Sequence, residues 1–252
     1  MANIKIAFTN ESTVLTDAQV KTAIPALQKQ ITRDFAPIWG VDADLSFVPK
    51  SAPLPPKSWL IGVFDNSDQA GALGYHDLTE EGLPLAKVFA ATDIQYNSAW
   101  TVTASHELLE MLVDPDINLF AFWQSGLEIF FYGYEVCDAC EADEFGYKID
   151  GVLVSDFVYP PWFEAFRKKG STQFDYQNKI NSPFELLKGG YISIFDVSYN
   201  SGFNQLYPPD ARLDYRARPH IGSRRERRAT ERDQWLRSMP RRRGKKGRRA
   251  SA

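Results

Sequence analysis

The apolar residues of this chain recur with two different periods. Ile4-Lys5-Ile6-Ala7-Phe8 is a short apolar run of strand length. From Thr16 the period changes: Val20, Ile24, Leu27, Ile31 and Phe35 recur at spacings of three and four, which predicts one stripe of a long helix capped at Thr16-Asp17. Pro25 falls inside that helix and predicts a kink or a later start. Strand-like runs follow at Ala43–Val48 and Trp59–Phe64, separated by a proline-rich loop over Ser51–Lys57. Gly71–His76 and Lys87–Ala91 predict two more strands. A second helix is predicted over Ser98–Val113 and stops at Asp114-Pro115, because proline cannot continue it. Beyond it, Leu127–Phe131 reads as a strand. Tyr147–Val154 reads as a hairpin turning at Asp150-Gly151, and Pro160-Pro161-Trp162 and Gly189-Gly190-Tyr191 read as loops. The expected class is α+β.

Composition and charge divide the chain in two. Its 252 residues are 44% hydrophobic and 13% aromatic, enough for one sizeable core. The net charge of −3 conceals an asymmetry: Arg212 to Ala252 holds sixteen Lys or Arg against four acids, leaving 13 basic and 28 acidic residues in 1–211. A globular domain at 1–211 and a basic, disordered tail at 212–252 are expected, since like charges repel and bury little apolar surface. Such a tail could bind nucleic acid or an acidic partner by releasing counterions. Trp235 gives it no run of aromatics for base stacking, and His220 within it is expected to be solvated. No apolar run is long enough for a membrane span. The start, Met1-Ala2-Asn3-Ile4-Lys5, lacks the pattern of a secretory signal, and Cys137 and Cys140 are the only cysteines. A cytoplasmic protein is expected.

The second helix carries the chemistry. In Ser105-His106-Glu107-Leu108-Leu109-Glu110, His106 and Glu110 are four residues apart, so their side chains stack on one face and can grip one ion. Glu107 stands beside them, where a carboxylate can accept a proton from water. The spacing is that of the H-E-x-x-H zinc helix with glutamate in the second histidine position. Zinc accepts carboxylate oxygen, and manganese or iron suits the same donors. The helix is otherwise apolar, which gathers its polar groups on a narrow strip. Two carboxylates one turn apart also repel unless a cation or water lies between them.

A catalytic zinc needs a third protein ligand. Glu135 is the first candidate and Asp138 the second, in the acidic run Glu135-Val-Cys-Asp138-Ala-Cys-Glu141. Asp116, six residues after Glu110, is another, although Val113 stands where a turn glycine is expected. His76 could polarise a substrate carbonyl or complete the metal site. The C-x-x-C pair Cys137/Cys140 sits among acids that raise thiol pKa and is expected to be structural. Tyr132, Tyr134, Trp162 and Phe163 are expected in the core or at its rim.

Several motifs in order carry a resemblance to a family: Ser105–Met111 with Asp114-Pro115, Tyr134-Glu135-Val136-Cys137-Asp138, and Gly151–Phe157 with Pro160. Gly71–Asp77 and Leu187–Ser193 fit the same pattern. Over roughly residues 1–200 the chain resembles bacterial and phage proteins that look like minimal zincin-type metallopeptidases. The family pattern is departed from at Ala139-Cys140, where a proline-containing stretch is usual. The resemblance implies a zincin-like mixed sheet with a long N-terminal helix and an active-site helix. It also implies a metal site at this helix; read with the residues above, His106, Glu110 and Glu135 or Asp138 are the expected ligands, Glu107 and His76 the expected catalytic groups and a polypeptide the expected substrate. The competing expectation is a non-catalytic protein of zincin shape, virion-associated or acting in assembly, whose tail binds nucleic acid or an acidic partner.

Overall fold

Strands buried on both faces read as unbroken apolar runs, and three such runs form the interior of the main sheet. They are Ile4–Asn10 (β1), Trp59–Phe64 (β3) and Pro84–Phe89 (β5), with Ile6, Phe8, Ile61, Val63 and Val88 fully buried. With Ala43–Phe47 (β2) and Gly74–Leu78 (β4) they make a five-stranded sheet in the order β2-β1-β3-β5-β4. The first four strands are parallel; β4 joins the edge antiparallel, pairing His76 with Ala86. The computed structural model describes residues 4–69, 72–197 and 203–208. Gly71 and the basic tail at 212–252 lie outside the described residues.

Between β1 and β2 runs α1 (Asp17–Lys29). Thr16 caps it with a full capping box: its hydroxyl accepts from the Gln19 N–H while the Gln19 side chain accepts from the Thr16 N–H. Pro25 does not end this helix. The chain instead widens five residues later into a π-helical turn, Gln30–Phe35, and closes with α2 (Ala36–Trp39). Val20, Leu27, Ile31 and Phe35 of the predicted stripe are fully buried. The apolar run at Lys87–Ala91 divides differently from expectation: the strand starts at Pro84, and Ala90 already opens α3 (Ala90–Gln95).

The central helix, α4 (Trp100–Val113), is buried on almost every side, with Leu108, Leu109 and Met111 fully enclosed. It packs on β4 and β5 and on the hairpin of β8 (Tyr147–Ile149) and β9 (Val152–Val154). Asp150 and Gly151 both take positive φ at the tip of that hairpin, as its sequence predicts. Hydroxyls fasten the helix. Thr101 Oγ1 donates to the Leu153 carbonyl, Thr103 Oγ1 to Asp93, and Ser105 Oγ accepts from the Ser155 N–H at 2.7 Å. A second sheet, in the order β11-β10-β7-β6, is antiparallel: β6 (Phe120–Ser125), β7 (Glu128–Gly133), β10 (Ile192–Asp196) and β11 (Phe203–Leu206). The strand predicted at Leu127–Phe131 is β7, while β6 has no counterpart in the sequence pattern; rings pair across the two, Trp123 on Phe130 and Phe122 near Phe131. No helix among the described residues is long and apolar enough to cross a membrane.

A buried carboxyl pair closes the C-terminal part of the core. Asp156 and Asp175 are both fully buried. Asp175 accepts from the N–H groups of Lys179 and Ile180, and Asp156 Oδ1 from those of Phe157 and Gln177. Burial, and then the facing Asp175 carboxyl, push the Asp156 pKa far above its ordinary value of 3.8. A pKa raised on folding contributes stability that is whole below the unfolded value and lost as pH climbs through the folded one. Asn at this position keeps a donor toward Asp175. Denaturant unfolding of Asp156→Asn across pH 4 to 9 is therefore expected to show a shallower decline in stability than the parent chain, with the fold retained.

Candidate metal centre

One turn of α4 and one loop supply the first half of the site. His106 and Glu110 stack as their spacing predicts, with His106 Nε2 at 3.1 Å from Glu110 Oε2. Asp138 enters from the loop after β7, in a 3-10 turn at Asp138–Cys140, and places Oδ1 at 3.1 Å from the same nitrogen. That turn is held from outside: the Leu187 N–H donates to the Ala139 carbonyl and the Tyr191 N–H to that of Asp138. Gly190 fits between because it has no Cβ, which would collide with the Ala139 carbonyl.

The second half comes from the sheet edge. β4 carries His76 inward, with Nδ1 at 3.3 Å from Glu107 Oε2 and 3.8 Å from Glu110 Oε2. Gly74, on the same strand, permits this closeness: a Cβ there would stand 2.6 Å from Thr103 Cγ2 and 2.9 Å from Glu107 Cγ. Glu135 joins His76 and Glu110 in a group whose ligand atoms lie within 4.8 Å of one another. All six side chains are buried, Glu110 completely.

The sequence-predicted residues therefore assemble, but with different partners than their order of preference suggested. Asp138, the second candidate, is the carboxylate at ion-pair distance from His106; Glu135, the first, groups with His76 instead. Glu141 lies near His106 and Asp138. Asp116 is exposed on the turn after α4 and belongs to none of these groups. Cys137 serves Glu110 through its backbone, donating its N–H to Oε1 at 3.2 Å. Its thiol also lies within reach of His106 and Glu110. Burial, and then the charges of Glu110 and Asp138, raise its pKa well above the ordinary value, which keeps it a thiol. Cys140 is likewise a buried thiol. Tyr134 stacks on Phe163 at 4.0 Å and Tyr132 on Phe184 at 4.4 Å, so these aromatics serve packing. Gly74 and Gly190 were not singled out as site residues by sequence; their only signal was glycine beside a chemically marked residue.

Electrostatics and spacing both suit a divalent ion. Burial alone would lower the His106 pKa, yet the charge of Glu110 and the hydrogen bond to Asp138 outweigh it and hold the imidazole well above 6.5. Carboxylates placed so as to attract a proton to His106 attract a metal ion at the same point. Ligands of a tetrahedral zinc lie about 3.3 Å apart when each bond is about 2.0–2.1 Å. The two 3.1 Å separations around His106 Nε2 match that edge length, and the donor set of imidazole and carboxylate fits the ion.

The close contact at Gly74 is testable. Overpacking at such a position costs about 1–3 kcal/mol. Gly74→Ala is expected to lower the thermal midpoint, and removing the opposing methyl in Gly74→Ala/Thr103→Ser is expected to recover part of the loss. No family model, curated protein or solved structure matches the chain.

Proposed function

We propose that this chain is a metal-dependent hydrolase of peptide bonds, built on a zincin-like domain at 1–211 and working in the cytoplasm. The basic segment 212–252 would be an extension suited to nucleic acid or an acidic partner. The observation that carries the reading is that His106 Nε2 lies 3.1 Å from both Glu110 Oε2 and Asp138 Oδ1, with Glu107 next to His106 on the same helix. The zincin-like assignment is supported by the placement of the motif helix α4 beneath an antiparallel edge strand.

His106, Glu110 and Asp138 would hold the ion, zinc first, with manganese or iron suited to the same donors. When bound, a divalent ion supplies Lewis acidity toward a carbonyl and makes water a better nucleophile at neutral pH. Glu107 is the base: its carboxylate takes the proton from the attacking water and returns it to the leaving amine. The 3.3 Å contact with His76 Nδ1 fixes the Glu107 carboxylate in place and gives it a partner of matching charge during proton transfer. β4 is the last strand of its sheet, with Tyr75, His76 and Asp77 buried, so His76 faces the site from an enclosed position.

Metal content separates this reading from a non-catalytic domain of the same shape. After stringent purification the parent chain is expected to retain metal, and His106→Ala to lose at least tenfold in affinity. Equal, substoichiometric metal in both would end the proposal. Glu107→Gln is expected to keep the ion yet lose 100-fold or more in cleavage of an unfolded protein, within the range general-base removal produces. Undiminished cleavage by that variant would assign the base elsewhere.

A further inference from the structure

The ligand-type side chains of this pocket fall into three groups: His106, Glu110 and Cys137; His106, Asp138 and Glu141; and His76, Glu110 and Glu135. The first two share His106, and Glu110 links the first to the third. The two imidazoles fall in different groups, although Glu110 Oε2 lies 3.1 Å from His106 Nε2 and 3.8 Å from His76 Nδ1. Donors that share one ion at bonds of about 2.0–2.2 Å can be no more than about 4.4 Å apart. A single ion seated between His106 and Asp138 thus leaves His76 and Glu135 to a different position.

Charge leads to the same count. Glu107, Glu110, Glu135 and Asp138 are all buried, and together they carry four negative charges when ionised. One divalent ion offsets half of that charge; two offset all of it. Buried charge without compensation is strongly destabilising, so a full complement of cations suits this set of side chains best. The remaining requirement is a group able to touch both positions. Glu110 meets it: its Oε1 is turned toward the Cys137 N–H and its Oε2 toward both imidazoles.

The geometry points to a two-ion centre in which Glu110 bridges two divalent cations. His106 and Asp138, with Glu141 close by, hold the first. His76, through Nδ1, and Glu135 hold the second. The inference rests on the reading of His106 and Glu110 as metal ligands and adds a second, independently removable position. The oxygen-rich donor set suits manganese as well as zinc. His76 Nδ1 lies 3.3 Å from Glu107 Oε2, so an ion held by His76 would stand next to Glu107.

The test uses the full chain, stripped with chelator, reloaded with Mn²⁺ and freed of excess. Metal analysis is expected to give two ions per chain for the parent and one for His76→Ala and for Glu135→Gln. In the parent, electron paramagnetic resonance is expected to show an exchange-coupled Mn²⁺ pair. In His76→Ala it is expected to show the spectrum of isolated Mn²⁺. One ion per chain in the parent, with an uncoupled spectrum and no change on His76→Ala, would overturn the second position while leaving the His106 site intact. No bound ion in the parent would overturn both. Because the count and the coupling are read on the parent chain, misfolding of a variant does not decide the outcome.

Discussion

A carboxylate with no solvent exposure, Glu110, sits on the inner face of the central helix, and much of the neighbouring structure is arranged to satisfy it. Leaving such a charge without partners costs several kcal/mol, a large share of the net stability of an ordinary domain. Glu110 Oε1 therefore requires the Cys137 backbone to pass at hydrogen-bond distance, which fixes the course of the loop after β7. Glu110 Oε2 faces two imidazoles, that of His106 one turn away on its own helix and that of His76 across the gap to β4. Gly74 lets that strand come close enough. The fold and the site are thus one problem: the contacts that bury the helix also aim its polar strip at the loop and the sheet edge.

Much of this was legible in sequence where the pattern reports burial directly. The stripe from Val20 to Phe35, of which all but Ile24 is fully buried, the helix cap at Thr16 and the stop at Asp114-Pro115 each state a local rule that the structure follows. Asp114 does more than end the helix: its carboxylate accepts from the N–H groups of Asn118 and Leu119 and so turns the chain away. Elements failed to show where the pattern is ambiguous. Phe120–Ser125 is largely exposed and mixes Phe120, Phe122 and Trp123 with Ala, Gln and Ser, without the alternation that marks a strand. Val88-Phe89-Ala90-Ala91 is evenly apolar, so nothing in it marks the passage from strand to helix.

The choice between Glu135 and Asp138 illustrates a different limit. Both lie in one acidic run, at equal convenience from the helix, and no periodicity ranks them. What decides is a 3-10 turn pinned by backbone bonds from Leu187 and Tyr191, some fifty residues further on, with Gly190 making room. Information that far away in sequence cannot be read from spacing around the motif. His76 is similar: its part in the site depends on β4 joining the sheet antiparallel, which sets the strand beside α4.

The energetics of the cluster explain why it is more than a set of well-placed hydrogen bonds. Two like charges about 4–5 Å apart repel by about 3–4 kcal/mol at the effective dielectric of 20 that suits protein sites. Glu110 and Glu135 lie within 4.8 Å, and Glu107 and Asp138 add further repulsion close by. A few such pairs equal the whole net stability of a typical domain, about 5–15 kcal/mol. A proton on His106 relieves part of this, consistent with the upward shift of its pKa beside Glu110 and Asp138. Divalent cations relieve more and do so at neutral pH, without consuming the imidazole lone pairs needed as ligands. A chain selected for stability alone would replace these acids with apolar residues, which pack as well and repel nothing. On the proposed reading, a cation brought to these buried acids would stand beside Glu107, where it could act on a substrate.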